Sequence, residues 1–204
     1  NNMVYSIHAQ RFFSGEIEYV AFYFSVSKAP LSGNKCGISY RNREEMEKEY
    51  FDSIYSATNA FAPFKGIVDQ VNQSLSSVMI AGEEGTGKEQ IAKVLYLRSS
   101  LKNRPFIQID CGILNDKVWD YLMNHHNSPL CGSGNTVFFK NINTLSQERQ
   151  KQLWTTIADV DLCKRSRVII SCISNSQRTF DSNSMMFINQ LNFFLITLPP
   201  LRED

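Results

Sequence analysis

The sequence lacks the features that would place it at once among membrane, secreted or nucleic-acid-coating proteins. It has 21 Lys and Arg against 20 Asp and Glu, a formal net charge of +1. That balance gives no broad basic surface, so any contact of this chain with DNA would have to be local. No apolar run reaches the length of a membrane span, and no signal peptide opens the chain. We therefore expect a soluble, cytoplasmic protein that makes no membrane contact.

Cysteine spacing also excludes several classes of site. The chain has five cysteines, an odd number, and their spacing matches no zinc or redox motif. We therefore expect the cysteines to be reduced thiols and to form no metal site. Because the chain opens on Asn1-Asn2 and ends directly after a motif, we expect a fragment of a longer protein.

The N-terminal part of the chain is rich in aromatic and β-branched residues. Two such runs, 3–13 and 17–27, predict a β-hairpin. Apolar residues at helical spacing then predict a connecting helix over 44–59, which Pro63 is expected to end. The predicted division is a β-rich extension at 1–43, a linker helix at 44–60 and a larger domain at 61–204.

Short apolar strands alternate with helices through the rest of the chain. This alternation predicts an α/β fold with a parallel sheet covered by helices on both faces. The predicted strands are 77–81, 105–110, 136–139, 167–172 and 193–198, and the predicted helices are 87–97, 116–124 and 146–157.

The spacing Gly82-x-x-x-x-Gly87-Lys88 lies between a predicted strand and a predicted helix, which is the context of a phosphate-binding loop. Glycines let backbone N–H groups surround phosphate oxygens, and the helix N-terminus adds partial positive charge. Lys88 would reach the terminal phosphates. Glu89 stands where most such loops carry Ser or Thr for magnesium, and Thr86, which precedes the lysine, cannot simply substitute. The alternative is a glycine-rich turn that binds nothing.

The same loop carries a resemblance to a family. Gly82-Glu83-Glu84-Gly85-Thr86-Gly87-Lys88-Glu89 resembles the GESGTGKE loop of bacterial sigma-54-dependent transcriptional activators, in which Glu after the lysine is usual. The resemblance covers residues 64–204 and implies an AAA+ domain, an ATP-binding module that forms rings and remodels RNA polymerase holding sigma-54. Four further blocks are similar in the same order, at 104–111 (PFVxxNC), 134–142 (GGTLFLDEI, Walker B), 167–172 (sensor I) and 198–203 (LPPLRER).

The departures from the family pattern concern its chemistry. Walker B should end in Asp-Glu, where the Asp orients magnesium and the Glu prepares the attacking water. This sequence has Lys140 and Asn141 at those positions, a degenerate Walker B motif. The amide of Asn141 cannot act as a base, and the ammonium of Lys140 cannot coordinate a cation.

Other family features are missing or altered. No GAFTGA loop, the segment with which the family touches sigma-54, occurs in residues 112–135. The arginines of the FRxDLxxRLN block, which would reach a neighbour's ATP, align with Ser184 and Gln190. Asp110 replaces the usual Asn, and the sensor-I pair aligns with Cys172 and Ile173, or with Ser174-Asn175 after a slip of two residues.

These observations predict an AAA+ module that binds ATP or ADP at residues 82–89 with little or no hydrolysis and has no catalytic residue of its own. Magnesium is not expected in its usual place. One alternative is an active ATPase whose magnesium site is rebuilt from Asp110 or Glu84. Another is a nucleotide-free interaction module. The resemblance implies self-association through the AAA+ domain, contact with RNA polymerase, and DNA binding only through a C-terminal domain beyond residue 204. The N-terminal 43 residues resemble the end of a PAS-like sensor, or form a structural extension.

Overall fold

A computed structural model of the chain describes residues 4–14, 17–27, 37–49, 62–174 and 182–200. The chain divides into two compact units, residues 1–34 and 35–204. In the first, strands β1 (Val4–Ser14) and β2 (Ile17–Ser27) pair antiparallel along their whole length. This pairing confirms the predicted hairpin, and residues 15–16 lie outside the described residues.

The second unit contains the sheet and all of the helices that the structure describes. Its elements are, in chain order, β3 (Ile38–Arg41), α1 (Arg43–Glu49), α2 (Ala62–Ser74), β4 (Val78–Gly82), α3 (Lys88–Leu97), β5 (Phe106–Asp110), α4 (Asp116–Asn124), β6 (Thr136–Lys140), α5 (Gln147–Asp159), α6 (Leu162–Arg165), β7 (Arg167–Ile173), α7 (Ser182–Leu191) and β8 (Phe194–Thr197). Short 3-10 turns lie at Cys111–Ile113, Pro129–Cys131 and Ile142–Thr144.

The six-stranded sheet has the order β3-β5-β6-β7-β4-β8. Strands β5, β6, β7, β4 and β8 run parallel, and β3 pairs antiparallel with β5 at one edge. Alternate residues of each strand face opposite cores, as the period of two requires. Phe138 and Ile169 enter one core, which includes α3, and Phe139 and Ile170 enter the other, which includes α5. The predicted parallel sheet with helices on both faces is confirmed.

Several elements differ from the sequence expectations. The predicted extension reached residue 43, whereas β3 belongs to the large sheet and the boundary between the units falls after residue 34. Of the predicted linker helix, the structure describes α1, and residues 50–61 lie outside the described residues. Pro63 lies in the first turn of α2 instead of ending a helix. A proline is accepted there because the first backbone N–H groups of a helix have no partner within it.

No helix within the described residues combines the length and the apolar composition that crossing a bilayer requires.

Candidate functional site

The candidate site lies at the edge of the sheet where the parallel strands end. Strand β4 ends at Gly82 and α3 begins at Lys88, so the predicted loop spans the space between them. Strand β4 lies between β7 and β8. In open α/β sheets, ligands bind outside the carboxyl ends of the strands. The fold therefore places residues 82–89 where a ligand is expected.

The backbone of this loop needs its glycines. Gly85 and Gly87 have φ of 83° and 84°, in the left-handed region that costs other L-residues about 1–2 kcal/mol. A Cβ on Gly82 would lie 2.6 Å from Oγ1 of Thr86 and 3.1 Å from Cβ of Leu198. The loop conformation is thus incompatible with larger residues at several positions. It produces the sharp strand-to-helix turn on which a phosphate cradle depends.

Lys88 lies across the loop. Its Nζ donates to the carbonyl oxygens of Gly82 at 2.9 Å and Glu83 at 2.6 Å. The side chain is buried, and this burial lowers the pKa of Lys88, an effect that the charge of Glu84 opposes. The ammonium is therefore partly withdrawn from water and aimed into the turn.

The other polar groups of the loop stabilise its shape. The hydroxyl of Thr86 donates to the carbonyl oxygen of Glu83 at 2.8 Å and is buried. Gly87 is the N-cap of α3 and has no side chain to accept from the first turn of that helix. Those N–H groups and the helix dipole therefore give the end of α3 a partial positive charge suited to an anion. Glu84 is exposed and Glu83 is half-buried.

Lys140, the first of the two degenerate Walker B residues, ends β6 and forms ion pairs with two acids. Its Nζ lies 3.2 Å from Oδ2 of Asp110, its register partner on β5, and 3.4 Å from Oε2 of Glu89. Lys93, one turn further along α3, places its Nζ 3.4 Å from Oε1 of Glu89. We call these four residues, Glu89, Lys93, Asp110 and Lys140, the charge cluster. Partial burial lowers the pKa of Lys140, but the attraction of Glu89 and Asp110 outweighs it, and the net result is a raised pKa.

Asn141, the second of these residues, forms a turn. Its φ is 55°, a left-handed conformation that asparagine tolerates better than most residues. Its backbone N–H donates to Oγ of Ser171 at 2.9 Å, and its carbonyl oxygen accepts from the N–H and hydroxyl of Thr144. Next to it, Oδ1 of Asn143 accepts from the N–H of Ile173 at 2.9 Å. The turn after β6 is thus fastened to β7, a role that the sequence did not predict for Asn143.

The remaining positions singled out from the sequence are spread over two elements. Cys172 and Ile173 lie on β7, and the N–H of Ser174 donates to the carbonyl oxygen of Gly82 at 3.1 Å, which fixes the end of β4. Ser184 is buried on α7 and Gln190 is exposed on the same helix. Residues 175 and 201–203 lie outside the described part of the chain.

The family model of the sigma-54 interaction domain matches residues 56–201. The Psp operon transcriptional activator of Escherichia coli K12 is 28% identical over 179 residues, covering 76% of this chain and 55% of that protein. The DNA-binding transcriptional regulator NtrC of Salmonella typhimurium is 27% identical over 161 residues, covering 67% of this chain and 34% of that protein. The chain thus spans about half or less of the curated relatives it matches.

Solved structures show the same fold. A crystal structure of NtrX from Brucella abortus in complex with ATP superposes with a TM-score of 0.56 at 20% identity, covering 71% of this chain and 37% of that one. A second crystal structure of NtrX, in complex with ADP, gives the same TM-score of 0.56. At this level of identity the likeness establishes the architecture alone.

Proposed function

The chain belongs to the sigma-54 interaction domain family, and we propose that it is the AAA+ module of a transcriptional regulator that binds ATP or ADP and hydrolyses little or none of it. The observation that carries the proposal is a contrast at one sheet edge. The turn from Gly82 to Lys88 has the shape of a phosphate cradle, while the strand end that should supply hydrolytic acids presents Lys140 in an ion pair.

Nucleotide binding is supported by the loop itself. Left-handed glycines, the uncapped first turn of α3 and the buried ammonium of Lys88 all favour an anion in the turn. NtrX, which shares the fold, has been crystallised with ATP and with ADP. The triphosphate or diphosphate would be held by the backbone of residues 82–89, with Lys88 as its cation.

Weak or absent hydrolysis is supported by four positions. Lys140 cannot hold a metal, and the amide of Asn141 cannot accept a proton from water. Ser184 and Gln190 carry no charge where the family resemblance calls for arginines. A missing arginine of this kind lowers turnover by a factor on the order of a thousand or more in related phosphoryl-transfer enzymes.

The proposed partners follow from the family. We propose self-association through the AAA+ unit and contact with RNA polymerase, in the cytoplasm of a bacterium, with DNA bound only through a C-terminal domain. The GAFTGA sequence is missing from residues 112–135, so remodelling of sigma-54 polymerase by the family's usual loop is not part of the proposal.

One competing function is an ATPase with a rebuilt magnesium site. Asp110, a residue that such a site would need, already pairs with Lys140 at 3.2 Å. This pairing favours nucleotide as a ligand over nucleotide as a substrate.

Calorimetric titration of the chain with ATP and with ADP tests the proposal, together with a phosphate-release assay. Lys88→Ala should weaken binding by about 10- to 100-fold, the value of one or two charge-assisted hydrogen bonds. The matched control is Lys151→Ala, since Lys151 is exposed on α5. Circular dichroism establishes that each variant is folded.

Two results would contradict the proposal. Turnover that disappears in Lys88→Ala would identify an active ATPase. No measurable affinity for either nucleotide in the folded wild-type chain would leave the interaction module as the function.

A further inference from the structure

Magnesium in P-loop nucleotidases is held by two protein positions, the Ser or Thr that follows the loop lysine and the Walker B aspartate. In this chain the corresponding positions are Glu89 and Lys140. Their side chains contact each other directly, with Nζ of Lys140 3.4 Å from Oε2 of Glu89. The residues at these two positions therefore form an ion pair with each other.

The remaining donors are also engaged. Asp110 uses Oδ2 for Lys140 and Oδ1 for the backbone N–H of Gly112 at 3.1 Å. Glu89 uses Oε1 for Lys93 and Oε2 for Lys140. Magnesium requires oxygen ligands in near-octahedral geometry. Every carboxylate oxygen of the charge cluster already has a cationic or N–H partner, so the residues present do not fit this ion.

The charge balance leads to the same conclusion. The charge cluster contains two carboxylates and two ammonium groups, so its formal charge is zero without a metal. A divalent ion would have to displace Lys140, whose side chain is 30% exposed, and leave its ammonium without its two partners. An ammonium is a compact cation with three donors, and it can face an anion without a coordination shell.

We propose that Lys140 serves as a tethered cation in place of magnesium, so that nucleotide binding at residues 82–89 is independent of divalent metal. This inference rests on the proposed nucleotide binding. Glu89 directly follows Lys88, so the ion pair places the Lys140 ammonium beside the first turn of α3, next to the loop. The raised pKa of Lys140 keeps it protonated at neutral pH.

The test is calorimetric titration of the folded chain with ATP in excess magnesium and, separately, in excess EDTA. The wild-type dissociation constants should agree within about twofold, a small change where 1.4 kcal/mol corresponds to tenfold. Lys140→Met should weaken binding by about tenfold in both buffers, because one charge-assisted interaction is lost. Lys151→Met, which alters an exposed lysine of α5, should change neither value.

A second variant recreates the family's acid. Lys140→Asp should bind ATP weakly in EDTA and should regain about tenfold or more when magnesium is added, since a metal can then neutralise the added carboxylate. If Lys140→Asp does not fold, the wild-type and Lys140→Met titrations decide the question.

The outcomes separate the two proposals. Wild-type binding that appears only with magnesium would overturn the tethered cation and leave nucleotide binding intact. Unchanged affinity in Lys140→Met would also overturn it. Absence of binding in both buffers would overturn nucleotide binding, and the inference with it.

Discussion

Two parts of one sheet edge are stabilised in different ways. The loop from Gly82 to Lys88 depends on backbone conformation, with left-handed glycines and carbonyl oxygens that accept from a buried lysine. The charge cluster at the end of β6 depends on attraction between side chains from β5, β6 and α3. Substituting a larger residue for a glycine of the loop should therefore lower the stability of the protein. The stabilisation that the charge cluster provides should instead depend on salt and pH. This comparison separates a feature of shape from a feature of charge within one site.

The largest effect on stability is expected from a methyl group in the loop. Gly82→Ala would place Cβ 2.6 Å from Oγ1 of Thr86, which is buried and bonded to Glu83. Overpacking of this kind costs about 1–3 kcal/mol in the free energy of unfolding. Gly66→Ala is the matched control, because a Cβ there meets nothing within 4 Å and Gly66 lies inside α2. That variant should gain up to about 1 kcal/mol.

Urea denaturation of both glycine variants measures this difference. Equal changes in the free energy of unfolding of the two variants would show that the loop does not require glycine at position 82. The difference in unfolding midpoint between Gly82→Ala and the wild type should be nearly the same at low and high salt, because the cost of the added methyl group is steric.

A smaller effect is expected at the charge cluster. Lys140→Met should lower the free energy of unfolding at neutral pH by about 1 kcal/mol, the upper range for partly exposed ion pairs. The pKa of Lys140 is raised in the folded protein, so its stabilisation is complete below the unfolded-state pKa and is lost as pH rises through the folded-state value. The difference between wild type and variant should therefore vanish at strongly alkaline pH.

Salt provides an independent check on the same variant. The screening length falls from about 10 Å at 0.1 M to about 3 Å at 1 M ionic strength, so high salt should reduce the difference. If the difference in unfolding free energy between wild type and Lys140→Met changes with neither pH nor salt, Lys140 stabilises the protein through packing of its apolar stem.

The smallest effect is expected for Asn141→Gly, which tests backbone shape within the charged region. Its φ of 55° suits glycine, so Asn141→Gly should change the unfolding free energy by less than about 0.5 kcal/mol. Asn141→Ala should lose about 1 kcal/mol. Thermal denaturation of the pair distinguishes these values, and a larger loss in the glycine variant would mean that the amide side chain matters more than the backbone.

Much of the fold could be predicted because its strands are continuous apolar runs. Strand β4 is buried along its whole length, and the loop after it is fixed by local glycine and lysine spacing. The helix α2 was missed because Pro63 signals either a helix end or a helix start, and the sequence alone did not distinguish them. Strand β3 was missed because its four residues become a strand only through pairing with β5.

The residues of the site could be predicted from the sequence, but the contacts between their side chains could not. Lys140 and Asp110 were each identified as departures from a motif, yet their pairing depends on the register between β5 and β6. The contribution of Lys93 depends on its position one helical turn after Glu89, on the side that faces the end of β6. Such contacts are tertiary and cannot be read from spacing along the chain.

The position of Lys88 determines how a ligand can reach its ammonium. Two carbonyl oxygens already accept from that ammonium, at 2.9 and 2.6 Å, which leaves one of its three N–H donors for a phosphate. A phosphate that accepts from more than this one donor must displace a carbonyl oxygen, and the measured affinity would then report only the surplus of the new contacts over the old. Because burial depresses the pKa of Lys88, an arriving anion would also shift that pKa upward, and binding would draw a proton from the buffer at alkaline pH. The heat of binding would then vary with the ionisation enthalpy of the buffer chosen.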